Sequence, residues 1–205
     1  MRNKLRDVGV DSNNMPSLTN ATYELVSPHG VKFLFLVLEF APRDEIIEWA
    51  KSIINKDKYA DYKVILLTHS YMSADNNHIK EENYKLSGPN FGAAVFEKLV
   101  KPSKNICLVL AGHIGAPNDE RKHLAFRTDV NAAGKKVRQM VFNAQALGGG
   151  WHGNGGDGWL RILEFLPDGK TINVKTFSPL FAVSPTTQQF ACRTADYDEF
   201  SFEID

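Results

Sequence analysis

The chain has 205 residues, with 24 Lys and Arg balanced by 24 Asp and Glu. That length suits one substantial domain able to bury roughly 70% of its unfolded surface. The even charge gives no reason to expect nucleic acid or an anionic membrane as partner, so the ligand expected is small or polar.

The two cysteines, Cys107 inside an apolar run and Cys192 near the end, do not form a disulfide framework and read as plain thiols. No stretch of about 18 apolar residues is available to span a bilayer, and Met1 to Asp7 lacks the apolar segment of a secretory signal. With no targeting signal, the chain as written reads as soluble and cytoplasmic.

Residues 1–20 are polar and show neither helical nor strand periodicity, which predicts a poorly ordered lead-in before a domain over 21–205. Thr22 to Val26 and Val31 to Glu39 predict two strands joined by the turn Ser27-Pro-His-Gly30. Pro42, Asp44 and Glu45 open a helix in which Ile46, Ile47, Ala50, Ile53 and Ile54 recur on one face. Lys63-Val-Ile-Leu-Leu-Thr68 is a continuous apolar run, the pattern of a strand covered on both faces, and it leads directly into His69.

A polar stretch from Ser70 to Gly88 follows. A second helix begins near Pro89, with Val95, Phe96, Leu99 and Val100 as its apolar face and Pro102 as its stop. Ile106-Cys-Leu-Val-Leu-Ala111 then leads into Gly112 and His113. Strand, helix and strand in succession make a crossover unit with parallel pairing, which brings both histidines out on one sheet edge. Beyond His113 the pattern predicts an antiparallel meander: Lys136 to Gln145, Trp159 to Phe165 and Thr171 to Phe177, the last two joined by Leu166-Pro-Asp-Gly-Lys170. Phe200, Phe202 and Ile204 predict a final half-buried strand.

Ligands of open α/β sheets bind beyond the carboxyl ends of the strands. His69 and His113 are therefore candidate metal ligands, and equally readable as histidines that cap strand ends. Bimetallic hydrolytic sites also need carboxylates, yet no Asp-x-His or strand-end Gly-Asp precedes residue 63. The run Gly148-Gly-Gly-Trp-His-Gly-Asn-Gly-Gly-Asp-Gly158 reads either as a flexible connection or as a loop whose backbone approaches a ligand. Trp151 and His152 at its centre are candidates to face substrate. His78, on the loop after His69, is a further candidate, with a solvated histidine as the alternative. Trp49 and Trp159 read as packing residues.

Four segments together, Thr68-His69, Gly112-His113, Val137-Arg-Gln-Met-Val-Phe-Asn-Ala-Gln145 and Gly155-Gly-Asp-Gly-Trp-Leu-Arg161, resemble the calcineurin-like metallophosphoesterase superfamily. The likeness is to its bacterial serine/threonine phosphatase-like members, which are often secreted, and it covers roughly residues 20–205. The resemblance implies an α/β fold, a partial four-layer α/β/β/α sandwich with mixed sheets, in which this chain is the carboxyl-terminal half. It also implies that His69 and His113 belong to one bimetallic centre holding Mn, Fe or Zn.

Two departures bear on activity. A Gly-His-x-His motif should end in a second histidine, but Gly112-His-Ile-Gly115 has glycine there. The Asp-x-His, Gly-Asp and Gly-Asn-His motifs that precede the matching part in the family have no counterpart. Two imidazoles alone hold an ion weakly or not at all, so no catalytic residue is assigned and the chain by itself is expected to be inactive.

The expectation is thus a truncated or split metal-dependent phosphoric-ester hydrolase, acting on a phosphate-ester small molecule or phosphoprotein only when completed. Its partner would be a second copy in a homodimer or a complementary amino-terminal half. The alternative is a non-catalytic binding or structural protein that keeps the scaffold. A third reading is a mononuclear hydrolase with Asp119 or Asp157 as third ligand.

Overall fold

The structure, a computed structural model, describes residues 4–116, 119–150, 152 and 155–205. The chain divides into two compact units: residues up to His113 with Ala125–Val141 and Asp205, and Ile114–Leu124 with Phe142–Ile204. Both sheets and the few helices make it an α/β protein with mixed strand pairing.

The first unit is built on seven strands: β1 (Leu5–Val10), β2 (Pro16–Val26), β3 (Lys32–Val37), β4 (Lys63–Leu67), β5 (Ile106–Ala111), β6 (Leu124–Val130) and β7 (Lys136–Phe142). Their order across the sheet is β1-β2-β3-β4-β5-β7-β6. Strands β1, β2 and β3 pair antiparallel, whereas β3–β4, β4–β5 and β5–β7 are parallel. Val64, Ile65 and Leu66 in β4 are successive residues with no exposure, as are Leu108 and Val109 in β5. Unbroken apolar runs are thus the central strands of this sheet.

Helix α1 (Asp44–Ile54) buries Ile46, Ile47, Ala50, Ile53 and Ile54, the predicted stripe. Helix α2 (Gly92–Val95) is a single turn that continues as a π-helical turn over Phe96–Val100, burying Val95, Phe96, Leu99 and Val100. The Trp49 ring lies against Gly9 of β1, where an added Cβ would come within 3.3 Å of it, so its packing is at the sheet rim. Among the described residues no helix is long and apolar enough to cross a membrane.

Two parts of the sequence reading are corrected. Residues 5–10 and 16–20, expected to be irregular, belong to a hairpin at the sheet edge. Its turn is organised by Asp11, whose Oδ1 accepts from the backbone N–H groups of Asn13 and Met15 at 2.8 and 3.0 Å. An edge strand tolerates polar residues, and Asp7 uses its position to accept from Lys56 Nζ at 2.9 Å.

The other correction concerns Lys136–Phe142, expected in an antiparallel meander. This strand lies in the seven-stranded sheet, parallel to β5, with β6 outside it. Val137, Gln139, Met140 and Val141 are all buried, so both of its faces are covered and simple alternation is the wrong template.

The second unit carries a four-stranded sheet of β8 (Leu160–Phe165), β9 (Thr171–Phe177), β10 (Cys192–Arg193) and β11 (Phe200–Glu203), all antiparallel to β9. The predicted hairpin from Trp159 to Phe177 and the final strand are both present here. The hairpin closes through Asp168, which accepts from the backbone of Lys170 and Thr171 and from the Thr171 hydroxyl, with Gly169 at φ 71°.

Candidate functional site

The parallel pairing of β4 and β5 continues past their ends. Thr68 N–H donates to the Leu110 carbonyl at 3.1 Å, and Gly112 N–H to the His69 carbonyl at 3.1 Å. The two histidine backbones are thereby tied together. His113 adopts φ 68°, a left-handed conformation that histidine visits more readily than bulky or β-branched residues do.

The consequence is that His69 Nε2 and His113 Nδ1 stand 3.0 Å apart, with ring centroids 4.7 Å apart. His113 Nε2 faces the Glu82 carboxylate at 2.8 Å and the Tyr84 hydroxyl at 3.3 Å. The other carboxylate oxygen of Glu82 accepts from the hydroxyl of Ser70, which is wholly buried. Phe40, on the turn between β3 and α1, meets the rings of His113, His69 and Tyr84 at centroid distances of 5.3, 5.7 and 5.0 Å. Behind it stands Phe91 at 6.1 Å.

Burial holds the His69 imidazole below its usual range; the neighbouring His113 pushes the same way and the Glu82 carboxylate opposes. A neutral imidazole is the form that ligates metal ions. Two nitrogens on one tetrahedral ion with bonds of about 2.0–2.1 Å stand roughly 3.3 Å apart, so this pair needs to open by only about 0.3 Å to share one. A carboxylate behind a ligating histidine is a common feature of such centres. The donor set fits an ion in kind while falling short in number: among the described residues, no group of three or more His, Cys, Asp or Glu is arranged to hold a metal.

Of the residues singled out in the sequence, His69 and His113 are brought together. His78 belongs to a different cluster. Its ring stacks on Phe96 at 4.4 Å, meets Tyr71 edge-on at 5.2 Å, and its Nε2 lies 2.6 Å from Gln139 Oε1. Only 10% of its side chain is exposed, so it is a packed rather than a solvated histidine. His152 is an exposed turn residue of the second unit, and Trp151 lies outside the described residues. Asp119 accepts from Arg121 N–H at the start of a short 3₁₀ turn, and Asp157 sits at φ 54° in the glycine-rich segment; both belong to the second unit.

The glycine-rich segment has a steric role. A Cβ on Gly156 would come within 2.1 Å of the Ala144 carbonyl oxygen, and its φ is 73°. Arg161, from the same resembling segment, lies over the rings of Phe142 and Phe200 at 4.9 and 5.5 Å and donates to the Tyr197 carbonyl. Trp159 packs edge-on against Phe181 at 5.4 Å with the Arg193 guanidinium 4.2 Å from its ring.

Sequence reasoning missed Glu82, Tyr84 and Phe40. Glu82 and Tyr84 lie in Lys80-Glu-Glu-Asn-Tyr84, where nothing in the spacing separates one acidic residue from the next. The only available signal is that this loop leaves the strand end that carries His69.

The chain is 28% identical over 186 residues, 89% of its length, to Uncharacterized protein YvnB of Bacillus subtilis (strain 168), and it spans 13% of that protein's length. No family model matches the chain.

Proposed function

We propose that the chain carries the carboxyl-terminal half of a metallophosphoesterase-type centre, within a four-layer α/β/β/α sandwich, and that His69 and His113 are two ligands of a divalent Mn, Fe or Zn ion. The observation that carries this reading is the 3.0 Å approach of His69 Nε2 to His113 Nδ1 at adjacent parallel strand ends. The resemblance singled out the same two residues from their motifs alone.

On this reading the bridging carboxylate and the proton-donating histidine are supplied from outside these 205 residues. A complete centre activates water between two ions and stabilises the charge of the phosphoryl-transfer transition state. The chain's own contribution is to hold two imidazoles, one backed by a carboxylate, under an aromatic cover. Titration of the purified chain with Zn²⁺ or Mn²⁺ tests this. Binding that is lost in both His69→Ala and His113→Ala, without turnover of an aryl phosphate, is the expected result; no binding to the wild-type chain overturns it.

A second reading, a scaffold that has lost its chemistry and serves as a binding or structural protein, is favoured by Gly115. It stands where the second imidazole of a Gly-His-x-His motif would be. Absence of metal uptake together with an unchanged fold in both alanine variants supports that reading instead.

A further inference from the structure

We infer that Glu82 is the positioning residue of the imidazole pair, fixing the proton of His113 on Nε2 so that the lone pair of Nδ1 faces His69. A neutral imidazole has one N–H and one lone pair, and which nitrogen carries the proton is set by what the other atoms around the ring accept or donate. At His113 the two nitrogens have different surroundings. Nε2 stands 2.8 Å from a carboxylate oxygen, which accepts and does not donate when ionised. Nδ1 stands 3.0 Å from His69 Nε2.

A carboxylate on one side therefore dictates a lone pair on the other. With the proton on Nδ1 instead, the Glu82 oxygen and the Nε2 lone pair would repel each other, and the nitrogen facing His69 could not ligate a metal ion. Glu82 is itself held: its second oxygen accepts from the buried Ser70 hydroxyl, one residue beyond His69. The carboxylate thus joins the strand end of His69 to the ring of His113 through side chains, in parallel with the backbone bond from Gly112 to His69. Tyr84, at 3.3 Å from the same Nε2, takes a weaker share of that proton.

The tautomer assignment stands on geometry alone, whereas its value for ion binding rests on the function proposed above. The test is nitrogen NMR of the full chain with labelled histidine, without metal and at about pH 8, where a histidine of ordinary pKa is neutral. The wild-type chain is expected to show His113 protonated on Nε2. Glu82→Ala is expected to release the ring into a mixture of tautomers and to weaken Zn²⁺ binding about 10- to 100-fold. Glu82→Gln, which keeps an acceptor oxygen, is expected to restore the tautomer and most of the affinity.

His113 protonated on Nδ1 in the wild-type chain overturns the inference without any variant having to fold. So does a Glu82→Ala chain whose tautomer or zinc affinity is unchanged. If the tautomer responds as expected and the wild-type chain takes up no ion, the metal reading fails and the positioning role of Glu82 stands.

Discussion

Tyr71 and Gln139 lie 68 residues apart and are joined by a hydrogen bond of 2.7 Å from the tyrosine hydroxyl to Gln139 Oε1, with both side chains wholly buried. The same oxygen faces His78 Nε2 at 2.6 Å, while Gln139 Nε2 donates to Asp129 Oδ2 at 2.6 Å. Asp129 is gripped by Arg127 at 2.6 and 2.8 Å. Burial raises the pKa of the Asp129 carboxyl, but hydrogen bonds from Arg127 and Gln139 outweigh it and leave the pKa lowered.

One amide therefore satisfies two donors and one acceptor. Tyr71→Phe leaves the Gln139 oxygen with His78 as donor, so a cost of about 1 kcal/mol is expected. Gln139→Leu strands two donors at once and takes one of two donors from Asp129 Oδ2, which keeps Arg127 Nε, and on the order of 3 kcal/mol is expected, read from urea unfolding. Equal costs for the two variants would refute this division of roles.

Phe40 is the cover of the imidazole pair and only half-buried. A fully buried phenylalanine cut to alanine costs about 3–5 kcal/mol, so Phe40→Ala is expected to cost about 1–3. Phe40→Leu keeps most of the volume and is expected to stay within about 1.5 kcal/mol of wild type. On the proposed function the alanine variant also binds Zn²⁺ more weakly, because both rings gain freedom that binding must then remove. Calorimetric titration of the two variants side by side measures this, and stronger binding by the alanine variant would contradict it.

The central strands and their two histidines were legible because a strand buried on both faces leaves an unbroken apolar run, and parallel crossover fixes which edge its end reaches. Edge strands carry no such mark. Leu5–Val10 alternates weakly and contains Arg6 and Asp7, residues that an edge accommodates through Lys56 and Glu24, partners far away in sequence. Glu82 was illegible for a similar reason: its role is defined by His113, 31 residues on, and by Ser70, and no local periodicity encodes either contact. The glycine run was legible as a loop, but the need for glycine at Gly156 comes from the Ala144 carbonyl.

Gly92 opens α2 directly against the backbone of Tyr71, and a Cβ there would lie 1.6 Å from the Tyr71 carbonyl oxygen. That oxygen is already engaged, accepting from Ile79 N–H at 2.9 Å, so it cannot move aside without breaking the turn that carries His78. Gly92→Ala is therefore expected to lower stability by about 4 kcal/mol or to prevent folding altogether. A variant within about 1 kcal/mol of wild type in urea would show that the helix start shifts freely.

Cys107 and Cys192 are expected to differ in reactivity. Burial pushes the Cys107 thiol up to about 12, whereas Cys192 is exposed. A thiol-specific reagent at about pH 8 should label one cysteine in the native chain and both after denaturation. For stability, the folded-state value is raised above the ordinary thiol value of 9.0, so the contribution is intact below pH 9.0 and lost as pH rises toward 12. Cys107→Ala should flatten that alkaline decline; an unaltered alkaline limb would assign it to other groups.

The opposite sign holds for Asp168 at the β8–β9 turn. Three donors, the Thr171 hydroxyl first and then the Lys170 and Thr171 backbone N–H groups, bring its carboxyl down to about 2. A carboxyl lowered in the folded state stabilises above its ordinary value of 3.8, and that contribution fades as pH falls toward 2. Asp168→Asn keeps an acceptor for part of the turn but has no charge to titrate. Its melting temperature should therefore lie below wild type at pH 6 and converge on it near pH 2, and a constant gap across that range would show that the turn depends on shape alone.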